Sequence, residues 1–188
     1  MNDVILLWDS PLLFEKLFLE YGLDCSRALS TFLGTPYLPV CKFLILPTGF
    51  ANKQYTKIGT GLEHNKYFLE KFVKKGGTLL VFSPLIPEYG YEWLPFSLKY
   101  VMEENSCTPQ PLGEHSAQKL VKNIVLPLGC DGYFAETDAD VALKDNIGRP
   151  IMVVKEIGDG MIVATTIHEL PSAEFFECRY ACTKKGKV

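Results

Sequence analysis

The segment DVILLWDSPLLFEKLFLEYG, residues 3–22, predicts a β-strand followed directly by an α-helix. Residues 4–8 form an unbroken apolar run, which is typical of a strand buried on both faces in a parallel sheet. Ser10 and Pro11 then predict the start of a helix, because a hydroxyl side chain caps exposed amides and proline fits the first helical position. Gly22 predicts the end of that helix. The segment is therefore one strand–helix unit of an α/β domain.

The same pattern continues along the chain. Further elements are predicted by apolar runs and helical periodicity: strands near 23–27, at 41–46 and at 78–82, and a helix at 62–75. Gly158-Asp159-Gly160 separates two apolar runs and predicts a tight hairpin, and Ser172 predicts the cap of a closing helix. The sequence thus predicts a single domain over residues 1–188, a three-layer α/β fold with a mostly parallel sheet and an antiparallel hairpin extension near the C-terminus.

The composition narrows the class of protein. The chain has 188 residues, of which 47% are hydrophobic, and a net charge of −3. This predicts a globular domain without the basic surface that binds nucleic acid or acidic membranes. No apolar run approaches the ~20 residues of a membrane-spanning helix, and the first residues lack the basic start of a signal peptide. We therefore expect a cytoplasmic protein with no nucleic-acid or membrane partner.

Six cysteines are dispersed along the chain without a Cys-x-x-Cys pair. A domain of this size does not require disulfides, so buried reduced thiols are predicted. Cys178 and Cys182 are four residues apart on the closing helix, but no nearby histidine completes a metal site. We expect neither a metal nor a cofactor.

Polar side chains follow the predicted strands at the points where the strands end. In an open parallel sheet, ligands bind beside the loops at the carboxyl ends of the strands. The candidate site residues at these positions are Asp9, Ser10, Thr48, Gly49, Phe50, Asn52, Ser83, His168 and Glu169. A histidine at the end of an apolar run is also typical of a hydrogen-bonded structural residue.

Three segments resemble the class I glutamine amidotransferase-like family. The family's strand and oxyanion-hole loop are similar to FLILPTGFA, residues 43–51. The approach to its nucleophile elbow resembles KKGGTLLVFSP, residues 74–84. The hairpin that ends in its His-Pro-Glu is similar to IGDGMIVATTIHELPS, residues 157–172. The resemblance implies a flavodoxin-like sheet, with His168 as the general base and Glu169 as the residue that orients it.

The chain departs from that family at the positions that perform catalysis. The family's nucleophile is a cysteine between glycines on a strained turn, whereas this chain has Ser83 followed by Pro84. Pro84 removes a backbone amide that would stabilise an oxyanion. His168 and Glu169 are adjacent rather than separated by proline, and Thr48 replaces a glycine of the oxyanion loop. Glutaminase activity is therefore not expected.

The favoured interpretation is a non-catalytic, degenerate amidotransferase-like domain. It would bind a small ligand, for which a carbohydrate is one class, or a protein partner, at the carboxyl edge of the strands. Tyr91 and Trp93, in the aromatic segment 83–118, are suited to stack on a sugar, to fill the subunit interface of a homo-oligomer, or simply to cover the open edge of the sheet. A function of the 83–118 surface alone is a further alternative.

The rival interpretation is a hydrolase. It would use His168 and Glu169 with Ser83, or with a carboxylate such as Asp9, and a metal-dependent form would recruit His168, Asp9 and Glu88. The two interpretations differ in one observation, which is whether a nucleophilic side chain lies within ~3–4 Å of a ring nitrogen of His168.

Overall fold

Eleven β-strands in two sheets form the framework of the described part of the chain. The structure is a computed structural model that describes residues 2–168 and 170–186. The larger sheet contains the strands β1 Val4–Leu7, β2 Cys25–Ala28, β3 Phe43–Leu46, β4 Thr78–Val81, β7 Gln110–Pro111, β9 Asp140–Lys144, β10 Pro150–Ile157 and β11 Gly160–Thr165. The smaller sheet contains β5 Glu88–Gly90, β6 Leu98–Cys107 and β8 Leu128–Thr137.

The larger sheet is mostly parallel, as the sequence predicts. Its strands lie in the order β2-β1-β3-β4-β11-β10-β9-β7. The first five are parallel to their neighbours, and β10, β9 and β7 extend the sheet in antiparallel pairs. The smaller sheet is wholly antiparallel. The predicted antiparallel extension near the C-terminus is confirmed.

The hairpin between β10 and β11 turns where the glycines predict it. Ile157 and Gly160 are paired across the turn, and Gly158 has a φ of 60°, a conformation that glycine adopts without steric cost. A Cβ on Gly160 would lie 2.0 Å from the carbonyl oxygen of Val73. Glycine is therefore required there because the turn packs directly against the helix that contains Val73.

The central strands are continuously apolar because both faces of the sheet are buried. Val4 and Leu6 pack into one hydrophobic cluster, and Ile5 and Leu7 pack into the other. All four side chains are fully buried. Successive side chains of a strand point to opposite faces, so an unbroken apolar run is what such a strand needs.

Helices cover both faces of the sheet but are short. In the described residues they are α1 Phe14–Glu20, α2 Ile58–His64, α3 Lys66–Lys74 and α4 Ala173–Tyr180. Phe18 of α1 packs against Phe176 of α4 in one cluster, with ring centroids 5.1 Å apart, whereas Leu62 and Phe72 belong to the other. With helices this few and short, the predicted flavodoxin-like three-layer arrangement is not confirmed. No helix of the described residues is long and apolar enough to cross a membrane.

Several local predictions need correction. The first helix begins at Phe14, so Ser10 and Pro11 do not start it. The helix predicted over 62–75 is two helices that meet at Asn65, whose side-chain amide donates to the carbonyl of Gly61 at 2.9 Å. This local bond competes with the helical pattern. Ser172 caps α4 as predicted, accepting from the amide of Glu174.

The segment 83–118 contains regular structure that its composition conceals. The strand β6 that begins at Leu98 is ten residues long and pairs with β8 along its length. Together with β5 it forms the smaller sheet.

Candidate functional site

The carboxyl ends of four neighbouring parallel strands bring the candidate residues to one edge of the larger sheet. Asp9 follows β1, Thr48 follows β3, Ser83 follows β4 and His168 follows β11, and these strands are consecutive in the sheet. The loops are linked directly, since the amide of Gly49 donates to the carbonyl of Ser83 at 2.7 Å. Parallel strands all end on the same side, and this convergence follows from that geometry.

The centre of the site is a carboxylate that the sequence analysis did not single out. Asp131 accepts a hydrogen bond from the hydroxyl of Ser83 on its Oδ2, and its Oδ1 lies 2.9 Å from Nδ1 of His168. Asp131 and Ser83 are 5% and 0% exposed, whereas the side chain of His168 is 67% exposed. The three side chains therefore form a chain that begins in the core and ends at the surface.

The backbone of β8 places Asp131 beside the end of β11. The amide of Asp131 donates to the carbonyl of Thr166 at 2.8 Å, and the amide of His168 donates to the carbonyl of Gly129 at 2.9 Å. The hydroxyl of Tyr100 adds a bond to the carbonyl of Asp131 at 2.8 Å. Because the backbone is held on both sides, the carboxylate is fixed before any ligand arrives.

The order of these side chains is unsuited to a serine nucleophile. In a catalytic triad the histidine lies between the serine and the acid, whereas here Asp131 lies between Ser83 and His168. The Ser83 hydroxyl donates a hydrogen bond to a carboxylate and is fully buried. The predicted catalytic pair of His168 and Ser83 is therefore not formed, and Glu169 lies outside the described residues.

His168 nevertheless has a defined orientation. A carboxylate at Nδ1 fixes the ring and leaves Nε2 to interact with other groups. In residues 2–168 and 170–186, the side-chain hydrogen bonds of the His168 ring involve Nδ1 alone. The ring, whose side chain is mostly exposed, therefore keeps Nε2 available for a further hydrogen bond at the carboxyl edge of the sheet.

Asp9 is occupied by structural contacts. Its carboxylate accepts from the amide of Ser30 at 3.0 Å, the hydroxyl of Thr56 at 2.6 Å and the amide of Lys57 at 3.2 Å. Burial raises the pKa of Asp9, but these hydrogen bonds outweigh that effect and hold the pKa below its ordinary value. Asp9 ties the end of β1 to two loops, and the neighbouring Ser10 is exposed.

The metal-dependent alternative does not assemble. Glu88 lies on β5 and pairs with Lys99 at 3.5 Å, while Asp9 and His168 have the separate partners described above. Among the described residues, no three His, Cys, Asp or Glu side chains come together as a metal site.

The aromatic residues proposed as ligand contacts lie in the core. Phe50, Tyr91 and Trp93 are at most 2% exposed and pack together, with the Phe50 and Trp93 centroids 6.1 Å apart. The indole nitrogen of Trp93 donates to the hydroxyl of Tyr89 at 3.0 Å. Stacking on a sugar requires an exposed ring face, which Tyr91 and Trp93 do not offer. Covering the edge of the sheet was the alternative that their burial favours.

The loop after β3 is partly exposed. Thr48 and Asn52 are half-buried, and the side-chain amide of Asn52 donates to the carbonyl of Leu85 at 3.2 Å. A cavity of 240 Å³ lies beside this loop, lined by residues that include Lys53, Lys57 and Glu63. A larger cavity, of 530 Å³, lies elsewhere, beside β5 and β6.

Sequence reasoning missed Asp131 because its partners are distant along the chain. Its hydrogen-bond partners are 48 and 37 residues away. The available signal was a single acidic residue inside the strand-like run LGCDGYF, residues 128–134. A buried carboxylate needs hydrogen-bond donors, so an acid in such a run indicates a partner elsewhere.

Comparison with known proteins places the fold but not the family. No family model matches the chain, and no curated protein matches it significantly. Among solved structures, it resembles a cytoplasmic protein from Salmonella typhimurium LT2, with a TM-score of 0.56, 10% identity, 98% of this chain covered and 100% of that one. It also resembles a β-galactosidase from Bacillus circulans sp. alkalophilus, with a TM-score of 0.53, 14% identity, 97% of this chain and 31% of that one. A β-galactosidase from Rahnella sp. R3 gives a TM-score of 0.50 and 12% identity, with 97% of this chain and 30% of that one covered.

These similarities correct the family suggested by the sequence. The neighbours named above are two β-galactosidases, of which this chain spans about a third, and one cytoplasmic protein. No family model supports the class I glutamine amidotransferase-like assignment, and that assignment is wrong. Short motifs misled because a strand followed by a Pro-x-Gly loop, or a hairpin ending in histidine, is compatible with many parallel sheets. At 10–14% identity the neighbours establish a similar fold alone.

Proposed function

We propose that this chain is a non-catalytic binding domain that takes a small hydroxyl-rich ligand, of which a carbohydrate is the class to test, at the carboxyl edge of its parallel strands. The observation that supports it is the fixed orientation of His168 by Asp131, which uses Nδ1 and leaves Nε2 of an exposed ring available. An imidazole nitrogen held in one position can donate a hydrogen bond to a hydroxyl group, or accept one from it, at low entropic cost.

The surrounding groups favour binding of a neutral polar ligand over hydrolysis of a substrate. The half-buried hydroxyl of Thr48 lies on the loop that is bonded to the Ser83 carbonyl through Gly49. Hydrolysis by Ser83 has little support, since its hydroxyl is buried and donates to Asp131. We also infer a three-layer flavodoxin-like arrangement from the helices on both sheet faces, and a cytoplasmic location, which is the one named for the Salmonella neighbour.

The test uses the nitrogen resonances of the histidine ring. D-galactose is titrated into the protein while the ¹H–¹⁵N signals of the imidazoles are recorded. We expect the Nε2 signal of His168 to shift, and His168→Ala to weaken binding by about tenfold, as the loss of one hydrogen bond of about 1.4 kcal/mol implies. The matched control is His64→Ala, because His64 is an exposed histidine at the end of α2 and its loss should leave the affinity unchanged.

Two kinds of result would contradict the proposal. One comes from the binding assay: galactose and related sugars do not bind, or they bind with an affinity that His168→Ala does not change. The other is esterase activity towards p-nitrophenyl acetate that disappears in both His168→Ala and Ser83→Ala but not in His64→Ala, since this would favour the hydrolase instead.

A further inference from the structure

Two buried thiols lie side by side on neighbouring strands of the smaller sheet. Cys107 ends β6 and Cys130 lies near the start of β8, and these strands are antiparallel partners. Their sulfur atoms are 3.4 Å apart, and the residues are 2% and 3% exposed. A disulfide has an S–S distance of about 2.05 Å, so the sulfurs need to approach by only about 1.3 Å.

A small cavity lies beside Cys107. It has a volume of 140 Å³ and is lined by Cys107, Asn105, Ser106 and Arg149, among others. The side-chain amide of Asn105 is buried at this cavity, and neither its nitrogen nor its oxygen has a hydrogen-bond partner in the described part of the protein. Such a polar cavity admits a small molecule that both donates and accepts hydrogen bonds.

We propose that Cys107 and Cys130 are a redox site, at which a hydroperoxide such as hydrogen peroxide converts the two thiols into a reversible disulfide. Hydrogen peroxide is small, neutral and able to donate to and accept from an amide, which are the properties that the cavity selects. Cys107 lines the cavity, so its sulfur is the first that the oxidant meets.

The reaction balances without any other reagent. The Cys107 sulfur attacks one oxygen of the peroxide as the O–O bond breaks. The proton of the Cys107 thiol passes to the departing hydroxide, which leaves as water. The product is a sulfenic acid. The Cys130 sulfur then attacks the oxidised sulfur, the S–S bond forms, the S–O bond breaks, and a second water leaves. Two thiols lose two electrons and two protons, and the peroxide is reduced to two waters.

The redox site is coupled to the neighbouring carboxylate through the backbone. Cys130 directly precedes Asp131, and it forms an antiparallel bridge with Ile167, which directly precedes His168. Drawing the Cys130 sulfur towards Cys107 pulls on the strand that sets the carboxylate position. Oxidation should therefore alter the contact between Asp131 and His168. This inference does not depend on the ligand proposed above.

The experiment starts from the full chain with Cys178→Ser and Cys182→Ser, because those two thiols are exposed and would join molecules to one another. The protein is treated with hydrogen peroxide, remaining thiols are alkylated, and the product is digested with trypsin. Lys119 and Lys122 lie between the two cysteines, so their peptides stay together only through a disulfide. Before alkylation, we expect the intact monomer to have lost the mass of two hydrogens. After digestion, we expect one linked pair of peptides, Cys107 with Cys130, which dithiothreitol separates.

Matched variants and a spectroscopic readout complete the test. Cys41→Ala removes another buried thiol and should leave the linked pair unchanged, whereas Cys107→Ala should abolish it. The imidazole signals of His168 should shift on oxidation in the absence of any sugar and return on reduction. A different cysteine pair, over-oxidation of Cys107 without a link, or no reaction at peroxide concentrations that modify Cys178 in the wild-type chain would overturn the proposal.

Discussion

Replacing Ser83 with alanine is expected to lower the free energy of unfolding by about 2 kcal/mol. The Ser83 hydroxyl is fully buried and donates to Asp131, which is 5% exposed. A hydrogen bond to a charged group contributes roughly 1.5–3 kcal/mol, and its loss leaves the carboxylate oxygen with one donor fewer in a buried position. If Ser83 were instead a catalytic residue without a structural role, its replacement by alanine would change the free energy of unfolding little.

The loss can be measured by urea unfolding, followed through the fluorescence of the buried Trp8 and Trp93. For a chain of this size, about 2 kcal/mol corresponds to a fall in Tm of roughly 4–8 °C. Ser10→Ala is the matched control, because Ser10 is exposed; its stability should stay within about 0.5 kcal/mol of wild type.

A double-mutant cycle assigns the loss to the Ser83–Asp131 contact. In an Asp131→Asn background the acceptor is neutral, and hydrogen bonds to neutral groups are about half as strong. Ser83→Ala should then cost only about 1 kcal/mol, which gives a coupling energy of about 1 kcal/mol. If Ser83→Ala leaves stability unchanged or raises it, or if the two changes are additive, the Ser83 hydroxyl does not support Asp131 and the account of the site is wrong.

Two further predictions concern residues first considered as ligand contacts. The pKa of the Asp9 carboxyl is lowered from 3.8 in the folded protein. The stabilisation from its charged form is therefore complete above that value and is lost as the pH falls through the folded pKa. The difference in unfolding free energy between wild type and Asp9→Asn should be smaller at about pH 2 than at about pH 7, and a difference independent of pH would refute this. Tyr91 has a buried hydroxyl without a hydrogen-bond partner among the described residues, so Tyr91→Phe should raise the free energy of unfolding by about 1 kcal/mol. Tyr100→Phe removes the bond to the Asp131 carbonyl and should lower it by a similar amount. Thermal unfolding of both variants checks the pair, and equal losses would show that Tyr91 has a polar partner.

Much of the framework could be predicted from local sequence. The runs at 4–7, 43–46 and 78–81 are strands, because only a strand buried on both faces requires unbroken apolarity. The boundaries at Ser10 and Asn65 could not be predicted. The chain after β1 is held by the bonds of Asp9 to Ser30 and Thr56, and these contacts form only when three distant segments meet.

The role of the aromatic segment was also beyond the reach of sequence patterns. The local sequence around Tyr91 and Trp93 does not distinguish rings that face a ligand from rings that face the core. Their burial depends on packing against Phe50 in the core. That contact joins residues about 40 positions apart and leaves no local periodicity.

The sequence by itself determined that the ends of the parallel strands gather Asp9, Thr48, Ser83 and His168 along one edge, because parallel strands that follow one another in a sheet end on the same side. Only the tertiary structure decided what those residues do there. Asp131 reaches the edge from β8 through pairing with the segment after β11, and it accepts a hydrogen bond from Ser83 while it orients His168. The register of that pairing is set by packing between sheets, which no spacing along the chain encodes.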